Sequence, residues 1–254
     1  MTLVRQSPAS TSTTWGMNES AALRRGLATL GLAPTSDQFA RLESYAGLLL
    51  KWNRTYNLLG ATTARDLIDN HLLDSLATLP ALLRWLPQST ATTRPILLDI
   101  GSGAGLPGLA LAIMLPDLLI ALVEPIGKKT AFLRQAIAHC RLQNVQVVEG
   151  RVEDLDLTED LLRQSPPAAN GSPVPSFICR AFTSLERFAA LCRPHARETS
   201  LFFAMKASRV AEEVAKLTGM EVLTIEPLPI VEPGVQRNLV VMRVGGAGAA
   251  SNSA

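Results

Sequence analysis

Residues 97–108 join a short apolar run to a loop in which glycine recurs at alternate positions. The run reads LLDI, and Gly101, Gly103 and Gly105 follow it before a Leu-Pro-Gly segment. A strand that passes through several glycines into a helix is typical of a ligand-binding loop at the carboxyl end of a parallel sheet. An ordinary tight turn would not need glycine at so many positions.

The chain after this loop has the pattern of an α/β fold. From residue 96 onward apolar segments alternate with helical segments, which predicts a largely parallel sheet with helices on both faces. We expect seven strands, the last of them antiparallel, at 96–100, 118–124, 145–149, 177–182, 201–206, 221–225 and 239–244. The intervening helices are predicted at 107–114, 128–142, 185–192 and 210–217.

The chain before the sheet is predicted to be helical. Leucines recur at helical spacing between residues 23 and 30, and Thr35 or the serine after it can cap a second helix. Apolar side chains line one side of this second helix at Phe39, Leu42, Tyr45, Leu49 and Trp52. A third helix is expected over 64–79, with Pro80 ending it.

These patterns divide the chain into successive parts. We expect a disordered leader at 1–18 and a helical region with a linker at 19–94. The α/β domain is expected at 95–244, with a Pro-rich insertion at 165–176, and a disordered tail at 245–254.

Composition excludes several classes of protein. The 254 residues are 47% hydrophobic and carry a net charge of +2, which does not by itself indicate a nucleic-acid binder. Three cysteines without a CxxC argue against a disulfide framework and against a zinc site, so we expect no metal.

The apolar stretch 106–123 is interrupted by Pro107, Pro116 and Asp117, which favours a buried helix and a buried strand over a membrane span. A soluble, cytoplasmic protein is expected.

The glycine loop admits two kinds of ligand. Residues 103–108 fit GxGxxG, a dinucleotide fingerprint that is weak alone. In the other register Asp99 stands before the alternating glycines, where an acid suits an ammonium group better than a pyrophosphate. Glu124, at the end of the second strand, can accept both ribose hydroxyls of either ligand. The register that begins with the acid favours S-adenosylmethionine, which has no phosphate, and leaves NAD as the alternative.

The residues at the end of the predicted fourth strand indicate which kind of acceptor atom a methyltransferase with this sequence could use. Amino-group methyltransferases of DNA carry an Asn/Asp-Pro-Pro-aromatic segment there, whereas this chain has Cys179-Arg180-Ala181-Phe182. Cys179 has no neighbouring proline, unlike the nucleophile of pyrimidine-C5 enzymes, and no His/Asp pair around the loop suggests a general base. An acceptor atom with a free lone pair, which needs no deprotonation, suits such a site.

Several blocks in a fixed order resemble the RsmG/GidB family of bacterial 16S rRNA guanine-N7 methyltransferases. They extend from about residue 39 to 243 and include LLKWNRTYNL (49–58), HLLDSL (71–76), LLDIGSGAGLPG (97–108), GKKTAFLRQ (127–135) and CRAFTSL (179–185). The resemblance implies a class I S-adenosylmethionine-dependent methyltransferase with a Rossmann-like sheet and a helical N-terminal extension. It also implies methylation of N7 of a guanine in the 530 loop of 16S rRNA. Guanine N7 has a lone pair and no hydrogen, so catalysis needs alignment rather than proton transfer.

The residue analysis and the resemblance together predict roles for individual residues. The expected cofactor contacts are Asp99, Gly101, Gly103, Leu106, Glu124, Val152, Glu153 and Arg180. Arg180 is expected to position the reactants, and the expected RNA contacts are His71, Lys128, Lys129, Lys206 and Arg237. For Arg180 an internal salt bridge is the alternative, and for Lys128 and Lys129 it is a solvated surface pair. For His71, which shares a helix face with Asp74, the alternative is a hydrogen-bond network that docks the N-terminal helices.

The expected partner is 16S rRNA, either free or within a 30S particle. A net charge of only +2 does not guarantee tight binding to free RNA through many phosphate contacts, and an acceptor presented by a preassembled particle would require fewer of them, so both acceptors stay open. Two other functions stay open: a methyltransferase with the same cofactor that acts on a protein or a small molecule, and an RNA-binding scaffold without catalysis.

Overall fold

A computed structural model describes the chain over residues 15–60, 62–87, 95–155, 174–207, 209–229 and 236–245. Most of the expected leader, of the Pro-rich insertion and of the tail lies outside these residues.

Seven strands form a single sheet in the described part of the chain. They are β1 (Ile96–Ile100), β2 (Leu119–Glu124), β3 (Val145–Glu149), β4 (Pro175–Arg180), β5 (Leu201–Lys206), β6 (Met220–Pro227) and β7 (Asn238–Val244). Their order in the sheet is β3-β2-β1-β4-β5-β7-β6. The pairs among β1 to β5 are parallel, whereas β7 runs antiparallel to both β5 and β6. The expected mostly parallel sheet with an antiparallel last strand is confirmed.

The helices precede the sheet and alternate with its strands. They are α1 (Met17–Thr29), α2 (Ser36–Tyr56), α3 (64–76), α4 (Leu79–Trp85), α5 (Gly108–Met114), α6 (Gly127–His139), α7 (Leu185–Cys192) and α8 (Val210–Val214). A 3₁₀ turn at Val152–Asp154 follows β3, and another at Arg193–His195 follows α7.

The second helix begins where the sequence indicated. The Thr35 hydroxyl accepts from the Gln38 backbone N–H at 3.2 Å, and the Gln38 side chain accepts from the Thr35 N–H at 2.9 Å. This capping box satisfies two backbone donors that the first turn leaves free. The helix ends at Asn57, whose φ of 49° stops the helical path.

The third helix differs from the expectation. Its central turns, Leu67–Leu73, are π-helical, and the helical path ends at Leu76 rather than at Leu79. Pro80 does not end a helix: it lies in the first turn of α4, where its missing N–H leaves no hydrogen bond unmade. The expectation was wrong because a proline is equally compatible with the end of one helix and the start of the next.

Helices cover both faces of the sheet. On one face the side chains of Leu97, Ile120 and Phe203 belong to the same hydrophobic core as the N-terminal helices, α5 and α6. On the other face Leu98 and Phe202 pack with residues of α7 and α8. The N-terminal helices therefore share a core with the sheet.

The apolar stretch 106–123 divides into a helix and a strand, as expected. In the part of the chain that the structure describes, no helix is long and apolar enough to cross a membrane.

Candidate active site

Several candidate residues lie at one edge of the sheet. The parallel strands β1, β2, β4 and β5 all end at this edge. Because β7 is antiparallel, its first residue Asn238 pairs with Lys206 at the end of β5, and Arg237 comes just before it. Residues that are far apart in the sequence, such as Arg180 and Arg237, are thereby brought to the same place.

The glycine loop turns tightly over the end of β2. Gly101, Gly103 and Gly105 have φ values of 71°, 59° and 87°, a region that favours glycine. The Gly101 N–H donates to the Val123 carbonyl at 2.9 Å. A Cβ at Gly101 would lie 2.5 Å from Cδ2 of Phe182, so no larger residue fits there without moving this ring.

Asp99 lies beneath the loop, and one of its two carboxylate oxygens accepts a hydrogen bond. Its Oδ2 accepts from the backbone N–H of Gly108 at 2.9 Å, and a Cβ on Gly108 would approach this oxygen to 2.7 Å. Its Oδ1 is buried and has no hydrogen-bond partner. Burial raises the pKa of this carboxyl to about 7. A buried acceptor without a donor is costly, and a positively charged ligand group would compensate that cost. The ammonium of S-adenosylmethionine fits this requirement.

Glu124 holds the loop from the neighbouring strand. It is buried, and its Oε2 accepts from the Gly103 N–H at 2.8 Å while Oε1 accepts from the Ile126 N–H at 3.1 Å. Lys129 Nζ lies 3.9 Å from Oε1. A carboxylate offers about four acceptor positions, so these bonds leave room for ribose hydroxyls.

The remaining predicted cofactor contacts lie in the loop and beside it. Leu106 in the loop and Val152 in the 3₁₀ turn after β3 are both buried. The Val152 carbonyl is 3.0 Å from Nε2 of His195, which fixes the turn. Glu153 is exposed, with its carboxylate 4.0 Å from the Arg151 guanidinium.

A network of side chains joins the end of β4 to α3. Arg180 Nη1 donates to the Asn70 carbonyl at 3.2 Å and lies 3.4 Å from Asp74 Oδ2, and its Nη2 is 3.1 Å from His71 Nδ1. Arg237 Nε lies 3.2 Å from the other Asp74 oxygen. The salt bridge and the docking network that the sequence left as alternatives are therefore both present, and they lie at the edge where the site was expected. We name His71, Asp74, Arg180 and Arg237 the arginine cluster.

His71 is neutral in this cluster. A guanidinium only donates hydrogen bonds, so the Nδ1 atom that faces Arg180 must be unprotonated. Burial, followed by the charge of Arg180, lowers the pKa of His71 to about 4. Two arginines and a single carboxylate then leave the cluster with a net positive charge.

The hydrogen-bond and ion-pair partners found for the three predicted lysines are not members of the arginine cluster. Lys206 Nζ donates to the Thr183 carbonyl and lies 2.8 Å from Glu213 Oε2. Lys129 lies near Glu124, and Lys128 is exposed at the start of α6 with Nζ 3.4 Å from the Tyr56 carbonyl.

Tyr45 contributes to the site in a way that the sequence did not reveal. It belongs to the apolar side of α2 and is buried, but its hydroxyl donates to the Ala104 carbonyl in the glycine loop at 2.7 Å. The only signal was a hydroxyl among leucines, which does not identify its partner.

The cysteines show no sign of a catalytic role. Cys140, Cys179 and Cys192 are free and buried, and burial raises the pKa of Cys140 to about 11. Among the described residues no group of His, Cys, Asp and Glu side chains is placed to hold a metal ion.

Comparison with known proteins identifies the family. The model of the GidB family, described as rRNA small subunit methyltransferase G, matches residues 38–240. The chain belongs to the GidB family. The family resemblance proposed from the sequence is confirmed.

Relatives of similar length carry the name Ribosomal RNA small subunit methyltransferase G. The protein of Azoarcus sp. (strain BH72) is 40% identical over 88% of this chain and 95% of its own length. The proteins of Polynucleobacter asymbioticus and Chromobacterium violaceum are 36% and 38% identical, each over 87% of this chain and over 93% and 96% of their own lengths.

Solved structures agree with this family at the level of the fold. The METTL16 methyltransferase domain superposes with a TM-score of 0.52 at 13% identity and covers 88% of this chain and 91% of that chain. A human methyltransferase 10 domain containing protein gives 0.50 at 12% identity, over 80% and 96%. The expected class I methyltransferase fold is confirmed for this GidB protein.

Proposed function

We propose that this protein uses S-adenosylmethionine to methylate N7 of a guanine in the 530 loop of 16S rRNA. Membership of the GidB family supports the class of reaction. We place this reaction in the cytoplasm, where the acceptor is either free 16S rRNA or a 30S particle.

The cofactor is proposed to bind around the glycine loop. The unpaired oxygen of Asp99 suits its ammonium group, and Glu124 suits the ribose hydroxyls. Val152 and Glu153 would lie by the adenine, and the loop residues Gly101, Gly103 and Leu106 would contact the amino-acid part. When bound, S-adenosylmethionine supplies an electrophilic methyl group that the lone pair of guanine N7 can attack directly.

The observation that carries the choice of acceptor is the state of the groups beside Arg180. His71 has a pKa of about 4 and its Nδ1 already accepts a hydrogen bond, and both oxygens of Asp74 face arginines. Neither group is suited to remove a proton at neutral pH. Guanine N7 has no proton to remove, so this arrangement matches it better than an amino or hydroxyl acceptor.

The chain's own residues are proposed to align the base and exclude water. Arg180 and Arg237 would bind phosphate or the guanine, with the net positive charge of the arginine cluster favouring an anion. Lys128 and Lys129 would contact the RNA backbone at the start of α6. Lys206 is a weaker candidate for an RNA contact because its ammonium group already has two partners within the protein.

Labelled S-adenosylmethionine, incubated separately with 30S particles, protein-free 16S rRNA and a protein extract, tests the proposal. We expect label in RNA as 7-methylguanosine, mapped to the 530 loop and missing from cells that lack the gene. Label only in protein would favour the alternative acceptor. A protein that binds RNA but transfers no label to any acceptor would instead be a scaffold.

A further inference from the structure

An exposed aromatic ring lies at the candidate active site without a role in the fold's core. Phe182 comes two residues after Arg180 at the end of β4, and 38% of its surface is exposed. The other phenylalanines of β4, β5 and α7, which are Phe177, Phe188, Phe202 and Phe203, are fully buried. Phe182 is thus a large apolar side chain that the core does not require at this place.

The backbone is strained where it presents this ring. Ala181 has a φ of 49°, a left-handed conformation that costs free energy for a residue with a Cβ. The reversal places the Phe182 ring against Gly101, where only a glycine leaves enough room. Strain of this kind persists where the surrounding structure fixes it, and it is common at functional sites.

Contacts on both sides of the turn keep it in place. Before it, Arg180 is held by α3 through Asn70 and His71. After it, the Thr183 carbonyl accepts from Lys206, whose ammonium also pairs with Glu213. Through these internal contacts the half-buried Lys206 anchors the turn that carries Phe182.

We propose that Phe182 stacks on the face of the acceptor guanine and holds it over the glycine loop. This inference rests on the proposed function. A base that is removed from its helix loses its stacking neighbours, and an aromatic side chain replaces them. Stacking uses the face of the base, whereas N7 and its lone pair lie in the plane of the ring. The stacked guanine therefore keeps N7 free for the methyl group, with Arg180 two residues away to bind its edge or phosphate.

The test compares four substitutions of Phe182 with a matched control. Phe182→Tyr and Phe182→Trp keep an aromatic face, Phe182→Leu keeps apolar volume, and Phe182→Ala removes both. Ile225→Ala is the control, because Ile225 is 43% exposed on β6, away from the site. For each protein, kcat/KM is measured with unmethylated 30S particles and with unmethylated 16S rRNA, and the dissociation constant of S-adenosylmethionine is measured by calorimetry.

We expect Phe182→Leu and Phe182→Ala to lower kcat/KM for the better RNA acceptor by about tenfold to a hundredfold, the range typical of a lost base–aromatic stack. Cofactor affinity should change by less than about twofold, because no stacking partner of the cofactor is lost. Phe182→Tyr and Phe182→Trp should keep more activity than Phe182→Leu because they retain an aromatic face, and Ile225→Ala should stay close to the wild type. Because Phe182 is not part of the core, these variants should fold, and circular dichroism checks this.

Two results would overturn the stacking proposal alone. If Phe182→Leu is as active as the wild type, the ring face is not used, and if the loss appears in the cofactor dissociation constant, the ring serves the glycine loop instead. A wild-type protein that methylates neither RNA would contradict the proposed function, and the stacking proposal would fail with it.

Discussion

The two halves of the active-site edge are held together in different ways. At the ends of β1 and β2, glycines and backbone N–H groups shape the loop, and Asp99 keeps a buried oxygen without a partner. At the ends of β4 and β5, side chains from α3 and from the start of β7 pair with one another in the arginine cluster. The first half keeps one buried carboxylate oxygen without a partner, whereas the charged groups of the second are paired with one another and leave one positive charge in excess.

The difference indicates how each half can receive its ligand. Asp74 faces two arginines, so a phosphate that binds one of them leaves the carboxylate paired with the other. The half-buried carboxylate of Asp74 is thereby not left without a charge partner, which would cost free energy. We therefore expect the loop half to change little on ligand binding and the cluster half to rearrange.

The largest expected effect is that of Arg180→Ala, which removes the centre of the cluster. Methyl transfer to RNA should fall about a hundredfold, as is typical when reacting groups are misplaced by about 1 Å. The fold should persist, because Asp74 keeps Arg237 as a partner. Single-turnover transfer and thermal unfolding measure the two effects. Arg243→Ala is the control, since Arg243 on β7 pairs with Glu221 on β6. If Arg180→Ala transferred methyl groups at the wild-type rate, Arg180 would not belong to the site.

Asp99→Asn should affect the glycine-loop half of the site rather than the arginine cluster. We expect S-adenosylmethionine to bind about tenfold or more weakly, because a hydrogen bond to a charged group contributes about 1.5–3 kcal/mol. RNA affinity should stay unchanged, which separates the halves. Calorimetry with cofactor and filter binding with 16S rRNA provide the measurements, and Asp37→Asn, at an exposed ion pair with Arg41, is the control. An equal loss in both assays would contradict the division into two halves.

The pH dependence of cofactor binding should also come from Asp99. Its pKa is raised from 3.8 to about 7 in the folded protein, so the free protein loses stability as the pH rises through that interval. An ammonium group favours the ionised carboxylate, so binding releases a proton below pH 7. Affinity should therefore rise by up to about tenfold from pH 6 to pH 7 and then level off. Calorimetry in buffers of different ionisation enthalpy measures the released proton.

His71 should not contribute to this pH profile, since its pKa of about 4 keeps it neutral throughout that range. In Asp99→Asn the profile should be flat between pH 6 and pH 7. A slope that survives in this variant would assign the titration to another group.

The same two halves differ in how far the sequence predicted them. The loop half depends on residues close in sequence, and the glycines after β1 and the acids at Asp99 and Glu124 were identified there. The cluster depends on packing: the antiparallel β7 brings Arg237 to Asp74, and no local pattern specifies that contact. Lys206 was a candidate from its place at the end of the fifth strand, and its two internal partners appear only in the folded chain.

Tyr45→Phe tests how the N-terminal helices support the loop half. The substitution leaves the buried Ala104 carbonyl without its donor, so we expect the free energy of unfolding to fall by about 1 kcal/mol. The cofactor KM should rise a few-fold, while the KM for RNA stays constant. Tyr56→Phe is the matched control, because Tyr56 is 42% exposed. Denaturant unfolding and steady-state kinetics check both values; an unchanged cofactor KM would show that the loop keeps its shape without Tyr45.

The smallest expected effect is that of Lys128→Ala. Lys128 lies in the first turn of α6, where the helix dipole disfavours a positive charge, and its exposed ammonium group makes a long hydrogen bond of 3.4 Å to the Tyr56 carbonyl. If it binds an RNA phosphate, the substitution should weaken RNA binding only a few-fold and lower the slope of log affinity against log salt by about 1. Lys216→Ala, at an exposed position after α8, should leave that slope unchanged. Equal slopes for both variants would place Lys128 outside the RNA interface.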